Sequence, residues 1–94
     1  MKIDDFVWHD GKAEHNFRDH DITFEAARRV FEDVRAIWDD DTDSSWNENR
    51  FRIIGSADGR VMVLSYTYRG DEDVIRLISA RRATKRERND YYRG

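Results

Sequence analysis

The hydrophobic residues of this chain fall into runs of two spacings, and the spacing changes where one element gives way to the next. Over residues 3–8, Phe6 and Trp8 stand two apart, the period of a short edge strand with one apolar face. Asp10-Gly11 reads as a turn, after which a helix is predicted over residues 12–20. Thr23 is placed to cap a second helix, its hydroxyl accepting a backbone N–H left free in the first turn. In that helix Phe24, Ala27, Val30, Phe31 and Val34 recur at helical spacing and predict one buried face.

Residues 36–39 read as a short strand, and Asp39, Asp40, Asp41 and Asp43 form an acidic loop running on to residue 47. A strand follows over residues 49–57, and Asp58-Gly59 is a two-residue hairpin signal. Residues 60–69 are the longest apolar strand, residues 70–73 turn the chain, and residues 74–79 are the last strand. Thr84-Lys85-Arg86-Glu87 matches a capping box, in which threonine and glutamate satisfy each other's backbone N–H groups; the final helix runs from there to Tyr92. The order is β-α-α-β-β-β-β-α. Short links join the later strands and require antiparallel pairing, because parallel neighbours need a long crossover. The expected fold is α+β: a single antiparallel sheet of four to five strands, with two N-terminal helices and a C-terminal helix on one face.

Ninety-four residues suit one domain with a modest core, spanning residues 1–94. The charge is unevenly spread. Residues 81–94 hold six basic against two acidic side chains, which leaves eleven basic against eighteen acidic in the rest of the chain. A positive end on a negative body points to two partners, one of them anionic. With no cysteine, a disulfide framework, thiol catalysis and Cys-ligated zinc are excluded. The first residues lack the apolar run of a signal peptide and no stretch has the length of a membrane span, so a cytoplasmic protein is expected.

Three groups of residues carry candidate chemistry. Lys12, Asn16 and His20 lie four apart on the first helix, so a cation, an amide and an imidazole share one stripe. Such a stripe can bind phosphate and move a proton, although a solvated helix face ending in a histidine explains the same spacing. Arg76 stands inside the last strand, sharing a side with Val74 and Ile78, while Ile75, Leu77 and Ser79 share the other. It needs an anion, a carboxylate partner or an open sheet face. Arg50, Arg52, Arg60, Arg69, Arg76 and Arg81 together can form a basic surface on the uncovered face of the sheet, with Tyr66, Tyr68, Tyr91 and Tyr92 as rings for base stacking. Core packing accounts equally for one tyrosine of each pair. No HxxxH, HExxH, EF-hand or Gly-rich phosphate loop occurs, so no metal and no cofactor are expected.

These pieces together resemble the BrnT family of bacterial toxins. The family's first block, F-x-W-D-x-x-K-x-x-x-N-x-x-K-H-G-x-x-F-x-x-A, is met by Phe6, Trp8, Lys12, Asn16, His20, Phe24 and Ala27. Its middle block, E-x-R-x-x-x-I-G, is met by Glu48, Arg50, Ile54 and Gly55. The closing block, I-R-I-I-S-A-R-x-A-x-x-x-E-R-x-x-Y, is met by Ile75, Arg76, Ile78, Ser79, Ala80, Arg81, Ala83, Glu87, Arg88 and Tyr91. His9 stands where the family has aspartate, and Asp19-His20-Asp21 where it has Lys-His-Gly.

The resemblance implies a RelE-like fold and the toxin of a type II toxin–antitoxin pair, a metal-independent endoribonuclease that cleaves RNA and inhibits translation. It implies a BrnA-like antitoxin as partner, with operator DNA reached only through that partner, and no membrane. Arg76 and Arg81, with Arg50 in support, are then expected to stabilise the charge of the transition state. His20 is expected to move the proton, histidine being the side chain whose charge changes near neutral pH. Lys12 and Arg69 would hold phosphate, and Trp8 or Tyr91 would stack a base. Glu87 is assigned to the capping box and not to the chemistry. Two other readings use the same residues: a family member of weak or no activity that binds its antitoxin for repression, and an RNA-binding domain without cleavage.

Overall fold

The computed structural model describes residues 5–41, 50–69 and 71–93, with the backbone alone for Asp40, Asp41 and residues 71–73. Residues 3–4 of the first expected strand, the acidic loop beyond residue 41, Glu48, residue 49 and Gly70 lie outside the described residues. The elements are β1 (Asp5–Val7), α1 (Asp10–His20), α2 (Phe24–Ala27), a 3₁₀ helix (Arg28–Glu32), β2 (Ile37–Asp41), β3 (Arg50–Ala57), β4 (Arg60–Arg69), β5 (Asp71–Arg82) and α3 (Lys85–Arg93). Among the described residues, no helix is long and apolar enough to cross a membrane.

The five strands form one sheet in the order β1-β5-β4-β3-β2. From β2 to β5 the neighbours are antiparallel, and Asp58 and Gly59 turn β3 into β4 with φ of 52° and 77°. The wholly antiparallel sheet expected from the short links is corrected at one edge. There β1 runs parallel to β5, with Asp5 beside Val74 and Val7 beside Arg76. All the elements between them serve as the crossover that parallel pairing requires. Local pattern says nothing about a pairing this distant in the chain. Strand β5 is also longer than expected, because it continues to pair with β4 as far as Arg82.

Strand β4 sorts its side chains by alternation. Met62, Leu64 and Tyr66 enter a core with Ile22, Phe24, Ala27 and Val30, while Val61 and Val63 enter a second cluster with Ile54, Ala83 and Tyr91. Helix α3 therefore packs on the face opposite α2, and the expectation of three helices on one face is corrected. The Ala83 N–H donates to the Val61 carbonyl at 3.0 Å, which holds the chain to the sheet until α3 begins. Tyr91 is the buried residue of α3, and the side it meets is that of Val61 and Val63.

Side chains set the helix ends. His9 Nδ1 accepts the Gly11 N–H at 3.1 Å, so Asp10-Gly11 opens α1 and does not form the expected turn. Thr23 Oγ1 accepts the Ala26 N–H at 3.2 Å, as its capping role predicts. The second helix tightens into 3₁₀ geometry after Ala27 and ends at Glu32, so Val34, expected in its buried stripe, is 98% exposed. Gly55 lets this segment close on β3: a Cβ there would lie 2.7 Å from Val30 Cγ1 and 3.2 Å from Asp33 Oδ2.

Helix α1 lies along β5 where β1 has ended. Asn16, buried, accepts the Ala80 N–H on Oδ1 at 3.0 Å and donates from Nδ2 to the Ile22 carbonyl at 3.1 Å. One amide thus takes the place of a missing neighbour strand. The register between β4 and β5 shifts there as well. Ser65 faces Ser79 but Tyr66 faces Leu77, so Ile78 is the extra residue of a β-bulge. Because of it, Ala80 joins Ile75 and Leu77 in the core, and Ser79 turns to the side of Arg76, contrary to simple alternation.

Candidate active site

The α3 face of the sheet is covered at one end and cationic at the other. Ile54, Val61 and Val63 pack under α3. Further along the same face the side chains change to Arg50 and Arg52 on β3, Ser65 and Thr67 on β4, and Arg76 and Ser79 on β5. Arg52 stands opposite Ser65, and Ser65 opposite Ser79, so one row of the sheet crosses from a guanidinium to two hydroxyls. At the usual strand spacing this row spans about 10 Å. Thr67 stands opposite Arg76 in the parallel row. Arg52 donates from Nη2 to Asp39 at 2.7 Å, while its buried Nε finds no acceptor among the described residues.

Ser79 also opens into a groove beside α1. His9, Gly11, Lys12, His15, Asn16, Asp19 and His20 form its helix wall, and Ile78 and Ser79 form its strand wall. The buried anchor of Asn16 fixes the rotation of α1, and Lys12 and His20, one turn to either side, are carried into the groove by it. The expected cation–amide–imidazole stripe is therefore divided: the amide is spent inside the fold, and the cation and imidazole face the groove. Asp19 pairs with His15, Oδ2 to Nε2 at 3.0 Å, with both side chains exposed.

A second hollow, at the end of α1, is lined by both His20 and Arg81, with Arg18, Asp19, Asp21, Arg82 and Thr84 completing it. Arg81 grips Glu87 with two parallel bonds, Nη1 to Oε1 at 2.8 Å and Nη2 to Oε2 at 3.0 Å. Glu87 Oε1 also accepts the Thr84 N–H at 2.8 Å, and Thr84 Oγ1 accepts the Glu87 N–H at 3.2 Å, the reciprocal pair of a capping box. The Arg81 fork holds the Glu87 carboxyl down to about 2 against the opposing effect of burial. The same fork raises the Arg81 guanidinium further.

The other expected site residues are placed apart. Tyr91 is 6% exposed and donates its hydroxyl to Asp33 at 2.6 Å, which corrects its expected use as a stacking ring; its neighbour Tyr92 is the exposed one. Trp8 is half-buried, edge-on to Phe24 with ring centroids 5.7 Å apart. Arg69 is exposed at the end of β4. Arg60, expected on the basic surface, instead donates to the Asp21 carbonyl at 3.2 Å. The basic surface is thus smaller than expected, centred on Arg50, Arg52 and Arg76.

Ser65, Thr67 and Ser79 were not among the expected site residues. The first two were visible in the sequence, since the β4 positions that begin with Val61 and Val63 turn hydroxyl-bearing at 65 and 67. Alternation puts Ser79 on the wrong side, because the bulge at Ile78 reverses it, and its signal is the match to the closing block alone.

Residues 8–87 match the family described as "Ribonuclease toxin, BrnT, of type II toxin-antitoxin system". No curated protein matches the chain. The matched span runs from Trp8 through the α1 groove and the cationic sheet face to Glu87, and covers far more than half of the sequence. The chain belongs to the BrnT family, the ribonuclease toxins of type II toxin–antitoxin systems.

Proposed function

We propose that this chain is a metal-independent endoribonuclease whose site runs from the cationic sheet face into the α1 groove, and that its cleavage of cellular RNA halts translation. The observation that supports this most is the position of Ser79, in one row with Arg52 and in one groove with Lys12 and His20. It joins the arginine-bearing sheet face to the groove that holds Lys12, and an extended track suits a polyanion better than a single small ligand.

In this reading the RNA 2′-oxygen attacks the adjacent phosphorus and the bond from phosphorus to the 5′-oxygen breaks. The 2′-hydroxyl proton leaves and the 5′-oxygen takes one up. The products are a 2′,3′-cyclic phosphate and a 5′-hydroxyl end. Arg76, with Arg50 on the same face, stabilises the charge that builds on the phosphoryl oxygens, a task for which the guanidinium fork is shaped. His20 moves the proton. Lys12 holds a neighbouring phosphate in the groove, and Arg69 extends the basic track at the end of β4.

Membership of a type II system implies an antitoxin partner. We assign it to the BrnA type, with operator DNA contacted only through that partner. The fold is read as RelE-like, residues 1–94 as one toxin domain, and the site of action as the cytoplasm. The test is induced expression of the chain, with total RNA examined, beside purified protein acting on a defined RNA in EDTA. Growth arrest with RNA fragments ending in cyclic phosphate is expected. Intact RNA with folded, soluble protein would overturn the proposal.

A further inference from the structure

We propose that Glu87 is a positioning residue: it fixes Arg81 by one edge of the guanidinium and leaves the other edge for an RNA phosphate in the hollow shared with His20. The inference rests on the ribonuclease reading and adds a residue to it.

The donors of Arg81 can be counted. A guanidinium has five N–H groups in a rigid plane. Nη1 spends one on Glu87 Oε1 and one on the Arg82 carbonyl at 3.3 Å, and Nη2 spends one on Glu87 Oε2. Among the described residues, the Nε–H and the second Nη2 hydrogen have no acceptor. They are adjacent and parallel, the geometry that takes two oxygens of one phosphate.

Two arrangements of such a pair are possible, and burial separates them. If the carboxylate stood outside the arginine, it would occupy the place of the phosphate and act as a competitor. Here the Glu87 side chain is 18% exposed and that of Arg81 39%, so the carboxylate is the inner partner and the guanidinium the outer one. Glu87 is itself held by Thr84, and α3 is held by the bond from Tyr91 to Asp33. A long, rotamer-rich side chain is thus fixed before any ligand arrives, which removes an ordering cost from binding. The capping box alone does not require this, since glutamine fills its third position equally well.

That equivalence supplies the test. Glu87→Gln keeps an acceptor for the Thr84 N–H but loses the second oxygen and the charge that hold Arg81. The first measurement is cleavage of a defined RNA by the wild type, Glu87→Gln, Arg81→Ala and the double variant. The expected result is a fall in kcat/KM of at least tenfold in Glu87→Gln, carried by a rise in KM as weaker phosphate binding requires, and no further fall when Glu87→Gln is added to Arg81→Ala. A loss of thermal stability with kcat/KM unchanged, or an equal fall in both backgrounds, would overturn the inference, and a rise in kcat/KM would show the carboxylate to be a competitor. The second measurement does not depend on cleavage. Inorganic phosphate is titrated into the protein while the Arg81 Nε–H resonance is followed by NMR. The resonance should shift in the wild type and bind phosphate at least tenfold more weakly in Glu87→Gln. If the wild type leaves RNA intact, the ribonuclease reading fails and this titration decides the positioning claim alone. No shift in the wild type, or equal or tighter binding in the variant, overturns it.

Discussion

The Tyr91 hydroxyl donates to Asp33 Oδ2 at 2.6 Å, and that bond ties α3, on one face of the sheet, to the segment that follows the 3₁₀ helix on the other. The same oxygen accepts the Ser56 N–H at 2.8 Å, and Oδ1 accepts the Arg35 N–H at 3.0 Å. Tyr91→Phe keeps the ring in its apolar cluster and removes only the donor. Because the acceptor is a carboxylate, the variant should lose about 1.5–3 kcal/mol of unfolding free energy in urea titration.

The pH dependence of stability follows from three groups. Burial pushes the Asp33 carboxyl up, but hydrogen bonds from Tyr91, Ser56 and Arg35 outweigh it and hold the group below its usual range. Glu87 is held down to about 2 by Arg81. Both carboxyls are more acidic folded than unfolded. Their contribution is present above the unfolded value and is lost as pH falls through the folded one. Tyr91 goes the other way: its hydrogen bond to Asp33, then burial, push it from 10.0 to about 12. Its contribution is present below the unfolded value and is lost as pH rises toward the folded one. The thermal midpoint should therefore drop on the acid side between pH 4.5 and about 2. It should drop on the alkaline side between pH 10.0 and about 12. Melting curves across pH should show the alkaline drop reduced in Tyr91→Phe and the acid drop reduced in Glu87→Gln.

Asn16 holds α1 against β5 with both ends of its amide. Asn16→Ala leaves the Ala80 N–H and the Ile22 carbonyl without partners in a buried place. Each such group costs about 1–3 kcal/mol, so a loss of roughly 2–6 kcal/mol is expected in chemical denaturation. Asn16→Asp keeps the acceptor for Ala80 and loses the donor to Ile22, and its unfolding curve should still fall below that of the wild type.

Asp21 ends α1 with φ of 57° and ψ of 35°, in the left-handed region where a side chain is strained. The resembled pattern has glycine at this position, and the backbone explains why. Asp21→Gly should raise stability by about 0.5 kcal/mol, the relief of strain exceeding the added freedom of the unfolded chain. The carbonyl that accepts from Arg60 is backbone and is unaffected.

What the sequence reveals of this fold is what neighbouring residues decide. The Thr23 cap, the Asp58-Gly59 turn, the Thr84–Glu87 capping box and the run of β4 all lie within a few residues of the groups that produce them. The parallel partner of β1, the face chosen by α3 and the bulge at Ile78 depend on contacts far along the chain, and periodicity carries no trace of them. The candidate site divides in the same way. Arg76 is marked as a charge in an apolar strand, and Lys12 and His20 by helical spacing. Tyr91 and Arg81 carry the right chemical groups for RNA, yet the fold has buried the one and clamped one edge of the other to Glu87, which only packing reveals.

The most direct measurement is the single-turnover cleavage rate of a defined RNA by the wild type and by Arg76→Ala, with both proteins shown to be folded by their melting curves. Arg76 shares a sheet face with Arg50 and stands opposite Thr67. Loss of a transition-state cation should slow cleavage about 100-fold or more. Equal rates in the two proteins would contradict a ribonuclease site on the last strand.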